Sequence, residues 1–313
     1  MVVFNNLHEI ENIGYPGVIT LGNFDGIHLG HRKIIQKCME ESARINGKCV
    51  VVTYDHQNSA LFKGNPEFIY MNHEKINILE NIGVDYLLLL PFSEEIKNIT
   101  ADEFLTGLLI NKLNAQIIII GYDHHFGKNR EGDIDYLKKR AHHFGYSVIQ
   151  IEPVLYENKI ISSSRIRSDL VLGNIKHANA QMGLPYFISG QIVHGFNRGK
   201  LTGFPTANIK YSGKKLLPAE GVYLAEIYFS QNTFSGIVNI GYNPTFNNDK
   251  LSIEVHILNF RENLYGENIT VYFLEKIREE MKFDNIDDLK RQINTDINFA
   301  KKYFKIQESN CQS

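Results

Sequence analysis

The chain has 313 residues, 43% of them hydrophobic and 22% charged, with a formal net charge of −2. That length suits two domains, and that composition supplies a substantial core, which excludes a disordered chain. The near-neutral balance gives no electrostatic case for nucleic acid or for an anionic membrane surface.

In chain order, the apolar run Gly17-Val18-Ile19-Thr20-Leu21 reads as a buried strand. It leads through Gly22-Asn23-Phe24-Asp25-Gly26-Ile27-His28-Leu29-Gly30-His31 into a segment from His31 to Glu40 with apolar residues at helical spacing. A glycine-rich strand-to-helix turn brings backbone close to a ligand, and a helix N-terminus aims unpaired N–H groups at an anion. His28 and His31, at i and i+3, can both face one phosphate. A zinc pair is the competing reading, but no carboxylate or cysteine with ligand spacing accompanies them. A structural turn with two incidental histidines is the other. Gly22, Gly26 and Gly30 recur every four residues, so the dinucleotide fingerprint is absent. The P-loop pattern fails as well, because Leu201 follows Gly199-Lys200.

Further apolar runs follow at Cys49 to Tyr54, Tyr86 to Leu90 and Ile117 to Ile120, separated by helical patterns over Glu74 to Ile82 and Asp102 to Leu113. Apolar strands alternating with helices predict a parallel sheet covered on both faces, with ligands beyond the carboxyl ends of its strands. The turn at Gly22 and the segment Gly121-Tyr122-Asp123-His124-His125-Phe126-Gly127 both fall at such ends. Ile161-Ser162-Ser163-Ser164-Arg165-Ile166-Arg167 then places hydroxyls ahead of a helix carrying two arginines. Serine is a good helix cap, and the same residues suit a phosphate clamp.

After Gly183-Leu184-Pro185 the texture changes, giving expected domains of 1–183 and 184–313. Gly221 to Tyr228 and Leu251 to Leu258 are β-type segments separated by turns, which predicts an antiparallel sheet or small barrel. Between them and the first domain lies a glycine-punctuated basic loop, His194 to Asn208, containing Gly195, Gly199, Lys200 and Gly203 and ending in Pro205-Thr206-Ala207-Asn208. Thr206 and Asn208 offer hard oxygens suited to Mg²⁺ beside a triphosphate, though an Asn and a Thr near a Pro are commonly turn chemistry. Glu254 sits mid-strand and reads either as a solvated residue or as a base at a pocket mouth; pattern alone favours the former. A last helix is predicted from about Ile286 to Phe304, with Leu289, Ile293, Ile297 and Ala300 as its core stripe. Cys38, Cys49 and Cys311 form no C-x-x-C pair and read as free thiols. Met1 to Asn6 lacks a signal-peptide pattern and no stretch is long enough to span a bilayer, so a cytoplasmic protein without membrane association is expected.

The His28-Leu29-Gly30-His31 segment resembles the signature of the nucleotidyltransferase superfamily. Taken with Gly121 to Gly127, Gly132-Asp133, Ser162 to Arg167, Gly203-Phe204-Pro205-Thr206-Ala207-Asn208, Gly221-Val222-Tyr223, Asn239-Ile240-Gly241, Glu254-Val255-His256, Leu264-Tyr265-Gly266 and Arg278 to Phe283, nearly the whole chain resembles the bifunctional riboflavin kinase/FMN adenylyltransferase family. Lys200 stands where that family usually has arginine, and Asn259 and Asn263 stand where aspartate is common. The resemblance implies a Rossmann-like nucleotidyltransferase domain followed by a β-barrel kinase domain with a C-terminal helix. It implies phosphorylation of riboflavin to FMN by ATP, then adenylylation of FMN to FAD with release of pyrophosphate. In the kinase half Glu254 is the implied base, Thr206 and Asn208 the Mg²⁺ ligands, and Gly195, Gly199, Lys200 and Gly203 the phosphate loop. In the other half His28, His31 and Arg167 are the implied catalytic groups. Gly22, Asn23, Phe24, Gly26, Gly30, Ser163, Ser164 and Arg165 would bind phosphate, and Asp123, His124 and Phe126 the flavin. The alternatives are a monofunctional enzyme with one degenerate site, a flavin-binding regulator, and a nucleotidyltransferase for another substrate.

Overall fold

The computed structural model describes residues 1–55, 67–193, 203–243, 248–260 and 262–311. Its chain divides into two compact units, Met1–Ser163 and Ser164–Ser313.

In the first unit, β1 (Val2–Phe4), β2 (Gly17–Leu21), β3 (Lys48–Asp55), β4 (Tyr86–Pro91), β5 (Ala115–Gly121) and β6 (Ser147–Ile151) form one sheet in the order β1-β4-β3-β2-β5-β6. Every pairing is parallel. The runs of Val, Ile and Leu make this possible, because a sheet covered on both faces buries every residue of its central strands. Val18, Ile19, Val50, Val51, Ile118 and Ile119 are fully buried. Helices α1 (Leu29–Arg44), α2 (Asn72–Ile82), α3 (Glu94–Asn98), α4 (Ala101–Glu103) and α5 (Ile134–Phe144) connect the strands. From β2 the chain passes to β3 on one side and later returns to β5 on the other. The strand order therefore reverses at β2 and β5, and the crevice of such a sheet opens at their carboxyl ends.

The segment expected to be an ordinary helix from Asp102 to Leu113 is instead π-helical from Phe104 to Lys112, with the Leu113 N–H donating to the Leu108 carbonyl at 2.9 Å. The wider turn keeps Phe104, Leu105, Leu108 and Leu109 together on the buried side. Cys38 and Cys49 are free, buried thiols with their sulfurs 3.0 Å apart.

A small hairpin, β7 (Leu155–Tyr156) and β8 (Lys159–Ile160), closes the first unit. The second begins on α6 (Ser163–Val171) and α7 (Ile175–Met182). There follow β9 (Tyr186–Val193), β10 (Ala207–Lys210), β11 (Gly221–Phe229), β12 (Asn232–Asn243), β13 (Asn248–Ile257) and β14 (Asn268–Arg278), which close into an antiparallel barrel in the order β10-β13-β12-β11-β14-β9. Alternation divides the strands cleanly. Tyr223, Ala225, Val238, Ile240, Ile253 and Val255 are buried within the barrel, while Val222, Leu224 and Ile237 pack outward on α8 (Ile286–Cys311) through Ile297, Ala300 and Phe304. The predicted stripe is thus present, and the helix runs on to Cys311. Arg278 on β14 ties it down by gripping Asp296, with Nε at 3.0 Å and Nη2 at 2.9 Å from Oδ2. Asp296 is 2% exposed and also accepts from the Gln292 side chain at 2.9 Å.

The compositional change at Gly183 and the boundary at Ser163/Ser164 differ because α6 and α7 pack with the barrel. Asn179 on α7 donates to the Phe273 carbonyl at 2.8 Å and accepts from the Tyr186 N–H at 2.7 Å. Ile175, Ala178 and Met182 are buried. Two hydrogen bonds at about 1 kcal/mol each and this apolar surface separate a fragment starting at Ser164 from one starting at Leu184. The longer fragment is expected to be more stable by at least ~2 kcal/mol. Urea denaturation of both fragments measures the difference, and equal midpoints would place the two helices outside the folding unit.

Candidate functional site

The turn after β2 is held in an unusual backbone. Phe24, Gly26 and Ile27 have φ of 47°, 80° and 34°. Glycine adopts such angles freely, whereas the branched Ile27 does not. Hydrogen bonds from several elements fix the turn. Gly22 N–H donates to the Val52 carbonyl at 3.1 Å, Thr53 Oγ1 and Lys75 Nζ each donate to the Asn23 carbonyl at 3.0 Å, and Ser163 Oγ donates to the Asp25 carbonyl at 2.8 Å. Asn23 itself is exposed, while the Phe24 ring is fully buried and meets His31 edge-on at 5.1 Å. Phe24 therefore offers a ligand its backbone only.

His28 caps α1, its Nδ1 accepting from the His31 N–H at 3.3 Å. The two imidazoles stack with centroids 3.6 Å apart and planes 15° apart. Gly30 permits this, since a Cβ there would lie 3.1 Å from His28 Cε1. Burial pulls His28 down to about 4, with its backbone hydrogen bond acting in the other direction. Burial also holds His31 well below the ordinary imidazole range, helped by His28 and Lys75. Both rings are neutral at pH 7, and because His28 Nδ1 accepts, its proton sits on Nε2. Nδ1 of His31 is buried, and it and the N–H groups of Leu29 and Gly30 have no protein partner among the described residues. Ring and backbone donors at a helix N-terminus make an anion site at the sheet's switch point.

The second loop at that edge runs from Gly121 to Gly127 after β5. Tyr122, Asp123 and His125 are exposed. His124 is pulled down to about 4 by burial, then by His125 and Arg130, and its Nε2 is buried without a partner among the described residues. Phe126 corrects an expectation. Its ring is 3% exposed, packs against Phe104 and Tyr136, and its backbone exchanges two 2.9 Å hydrogen bonds with Gly132. With its ring in the core, Phe126 supports the loop from beneath and, like Phe24, offers a ligand only its backbone. Ser163 is likewise drawn into the fold, its hydroxyl proton serving Asp25. Ser164, Arg165 and Arg167 follow it on α6.

On the barrel, Asn208 of β10 lies opposite Glu254 of β13, which lies opposite Asn239 of β12. Directly paired residues share a face, so three polar side chains line up across three strands. Ile253 and Val255, each 1% exposed, point inward, which puts this row on the outer face. Thr206, just before β10, has its hydroxyl 3.4 Å from Glu254 Oε2. His256 Nδ1 donates to the Pro205 carbonyl at 2.8 Å and so fixes that approach. Glu280 joins the group: desolvation pushes its carboxyl up, partly offset by a hydrogen bond from Asn239, and Gly241 leaves room for it. Asn239 Oδ1 is buried and unpartnered among the described residues. Hydroxyl, amide and carboxylate oxygens are the donors a hard divalent cation takes. Gly203 is exposed with φ of 83°, and Gly195, Gly199 and Lys200 lie outside the described residues. Asn259 occupies a left-handed position at φ 58°, and Asn263 Oδ1 accepts from the Tyr265 N–H at 3.1 Å, so both asparagines act as turn residues.

The sequence assigns no role to Thr53, Lys75, Asn239 or Glu280, although the last two lie in motifs that carry the resemblance. A signal existed for Lys75: it shares a helical face with Ile78 and Leu79, where a cation is out of place.

An α/β unit with a histidine-bearing anion turn and a barrel with a carboxylate, hydroxyl and amide site define a two-site phosphate-handling enzyme. Family models described as FAD synthetase and riboflavin kinase match residues 11–165 and 182–304. A bifunctional riboflavin kinase/FMN adenylyltransferase from Buchnera aphidicola subsp. Schizaphis graminum is 37% identical, covering 98% of this chain and 100% of its own. One from Escherichia coli K12 is 34% identical over 97% and 98%. A solved structure described as a macrolide-efflux protein from Streptococcus pneumoniae has a TM-score of 0.87 and 32% identity, covering 96% of this chain and 98% of that one. The chain belongs to the bifunctional riboflavin kinase/FMN adenylyltransferase family. Among the described residues no helix is long and apolar enough to cross a membrane.

The depressed pKa of His28 has a consequence for stability. Its value is 6.5 when unperturbed and about 4 in the fold, so on acidification the unfolded chain takes the proton first. The stability tied to the neutral ring is complete above pH 6.5 and is lost as pH falls toward 4, by roughly 3 kcal/mol at most. The melting transition of the first unit should drop over that window, and His28→Gln should flatten the slope. Thermal melts at stepped pH decide it, an unchanged slope in the variant counting against.

Proposed function

We propose that the chain phosphorylates riboflavin to FMN on the barrel and adenylylates FMN to FAD in the α/β unit, using ATP twice and working in the cytoplasm. The observation that carries this reading is that each unit has its own assembled site: the stacked His28/His31 pair at the switch point, and the Asn208-Glu254-Asn239 row with Thr206.

In the kinase reaction the terminal ribityl hydroxyl attacks the γ-phosphate of ATP, the bond to the β,γ-bridging oxygen breaks and ADP leaves. A primary alcohol is a weak nucleophile, and Glu254 is the group placed to take its proton. Thr206 and Asn208 would hold Mg²⁺, which supplies positive charge to the transferring phosphate. Asn239 and Glu280 fix the carboxylate's surroundings. In the second reaction the FMN phosphate attacks the α-phosphate of ATP and pyrophosphate leaves. The nucleophile is already anionic, so the site's task is to stabilise charge at a crowded phosphorus. His28 and His31 donate from neutral rings, and Gly22, Asn23, Phe24, Gly26 and Gly30 let backbone approach. The family resemblance assigns Ser164, Arg165 and Arg167 to phosphate, and the Asp123 and His124 loop to the flavin side.

Two variants of the full chain test the assignment by separating the half-reactions. Glu254→Gln keeps shape and removes the base, so riboflavin phosphorylation should fall ~10²-fold or more while supplied FMN is still converted to FAD. His31→Ala should do the reverse, with FAD formation falling ~10²–10³-fold and FMN accumulating. Chromatography of flavins after incubation with ATP and Mg²⁺ reads both. Unchanged FMN formation in the first variant, or unchanged FAD formation in the second, removes that residue from the mechanism.

A further inference from the structure

The carbonyl of Asn23 is an unusual acceptor. It receives Thr53 Oγ1 from β3 and Lys75 Nζ from α2, each at 3.0 Å. Both donors are interior, Thr53 at 0% and Lys75 at 5% exposure. A buried ammonium is unfavourable unless paired and hydrogen-bonded, and the first turns of a helix are the wrong end of its dipole for a cation. Burial pulls the Lys75 ammonium's pKa down, and Asp25 and Asp55 act in the other direction, toward the charged form. Asp25 also accepts from the Tyr70 N–H at 3.3 Å, and Asp55 from the Asn72 amide at 2.7 Å. Packing alone gives no reason for this arrangement, since an apolar residue would fill the same face beside Ile78 and Leu79.

Peptide geometry gives one. The Asn23–Phe24 peptide is trans, like every peptide bond among the described residues, so its C=O and N–H point in opposite directions. Two interior donors on the Asn23 oxygen therefore turn the Phe24 N–H away from the interior. That N–H has no protein partner among the described residues, and neither do those of Leu29 and Gly30. We propose that Lys75 is a positioning residue for adenylyl transfer, holding the Asn23–Phe24 peptide together with Thr53 so that the Phe24 N–H is presented to a phosphate oxygen of ATP. The inference rests on the reading of this turn as the adenylyl-transfer site. Burial is what chiefly keeps the His31 ring neutral, with His28 and then Lys75 adding to it through charge.

The test uses the full chain with Lys75→Met, Thr53→Val and the double variant. In Lys75→Met, kcat for FMN adenylylation should fall by about 10²-fold, the usual scale for a reacting group displaced by about an ångström. Riboflavin phosphorylation by the same preparation should be unchanged and the melting transition of the first unit retained, which together report an intact chain. The double variant should lose no more than Lys75→Met alone, because both residues act on one carbonyl. Near-normal FAD formation in Lys75→Met, or additive losses, overturns the proposal and leaves Lys75 a packing residue. If Lys75→Met does not fold, Thr53→Val with normal melting and normal kcat overturns it equally. His31→Ala run in parallel separates the cases: an active His31→Ala removes the site itself, whereas an inactive one beside an active Lys75→Met removes only Lys75.

Discussion

The adenylyl-transfer unit depends on a strained turn between β2 and α1 that its surroundings hold in place. Left-handed backbone at a non-glycine residue costs on the order of 1–2 kcal/mol, and Phe24 and Ile27 both adopt it. It persists because donors from β3, from α2 and from Ser163 converge on the carbonyls of Asn23 and Asp25. What the strain achieves is directional. It starts α1 at Leu29 with His28 as its cap, folds the His28 ring onto His31, and leaves amides of the first turn open. The same burial that makes the turn rigid makes both histidines neutral. An anion entering it meets fixed donors whose orientation was settled during folding, the condition for strong electrostatic stabilisation of a transition state.

The barrel relies on a different constraint, which is register. Glu254 acquires Asn208 and Asn239 as neighbours only because β13 pairs with β10 on one side and β12 on the other at one alignment. A slip by one residue would turn Glu254 into the barrel and Val255 onto its surface. Closure fixes that alignment, and the Arg278–Asp296 ion pair with the apolar face of α8 holds the outer surface against which the row is set. Arg278, Glu279 and Glu280 show the economy of the arrangement: one arginine anchors the helix, and two residues later a carboxylate meets Asn239.

Much of this was legible in the sequence, for reasons that differ by element. The buried strands of the α/β unit announced themselves because parallel strands covered on both faces are apolar at every position. The two-residue period of β13 assigned Glu254 to the polar face but left open whether it was functional, since a solvated strand carboxylate has the same pattern. Phe126 shows the limit of composition: an aromatic in a glycine-bounded loop has the pattern of a ligand contact, and only the packing of Phe104 and Tyr136 around it shows that its ring is in the core. Ser163 was read as a phosphate donor because nothing near it in the chain shows that its proton goes to Asp25.

By itself, then, the sequence determined which segments are strands and helices, that the chain has two domains, and where the histidine turn and the Thr206-Asn208 pair fall. These properties are written in neighbours along the chain, through periodicity, glycine placement and helix-start signals. Tertiary structure decided the partners: Lys75 beneath Asn23, Asn239 beside Glu254, α6 and α7 grouped with the barrel, and a π-helical turn from Phe104 to Lys112. Each depends on residues dozens of positions apart meeting in a low-dielectric interior. There the cost of an unpaired charge or an unfilled face selects the contact, and local pattern carries no record of it.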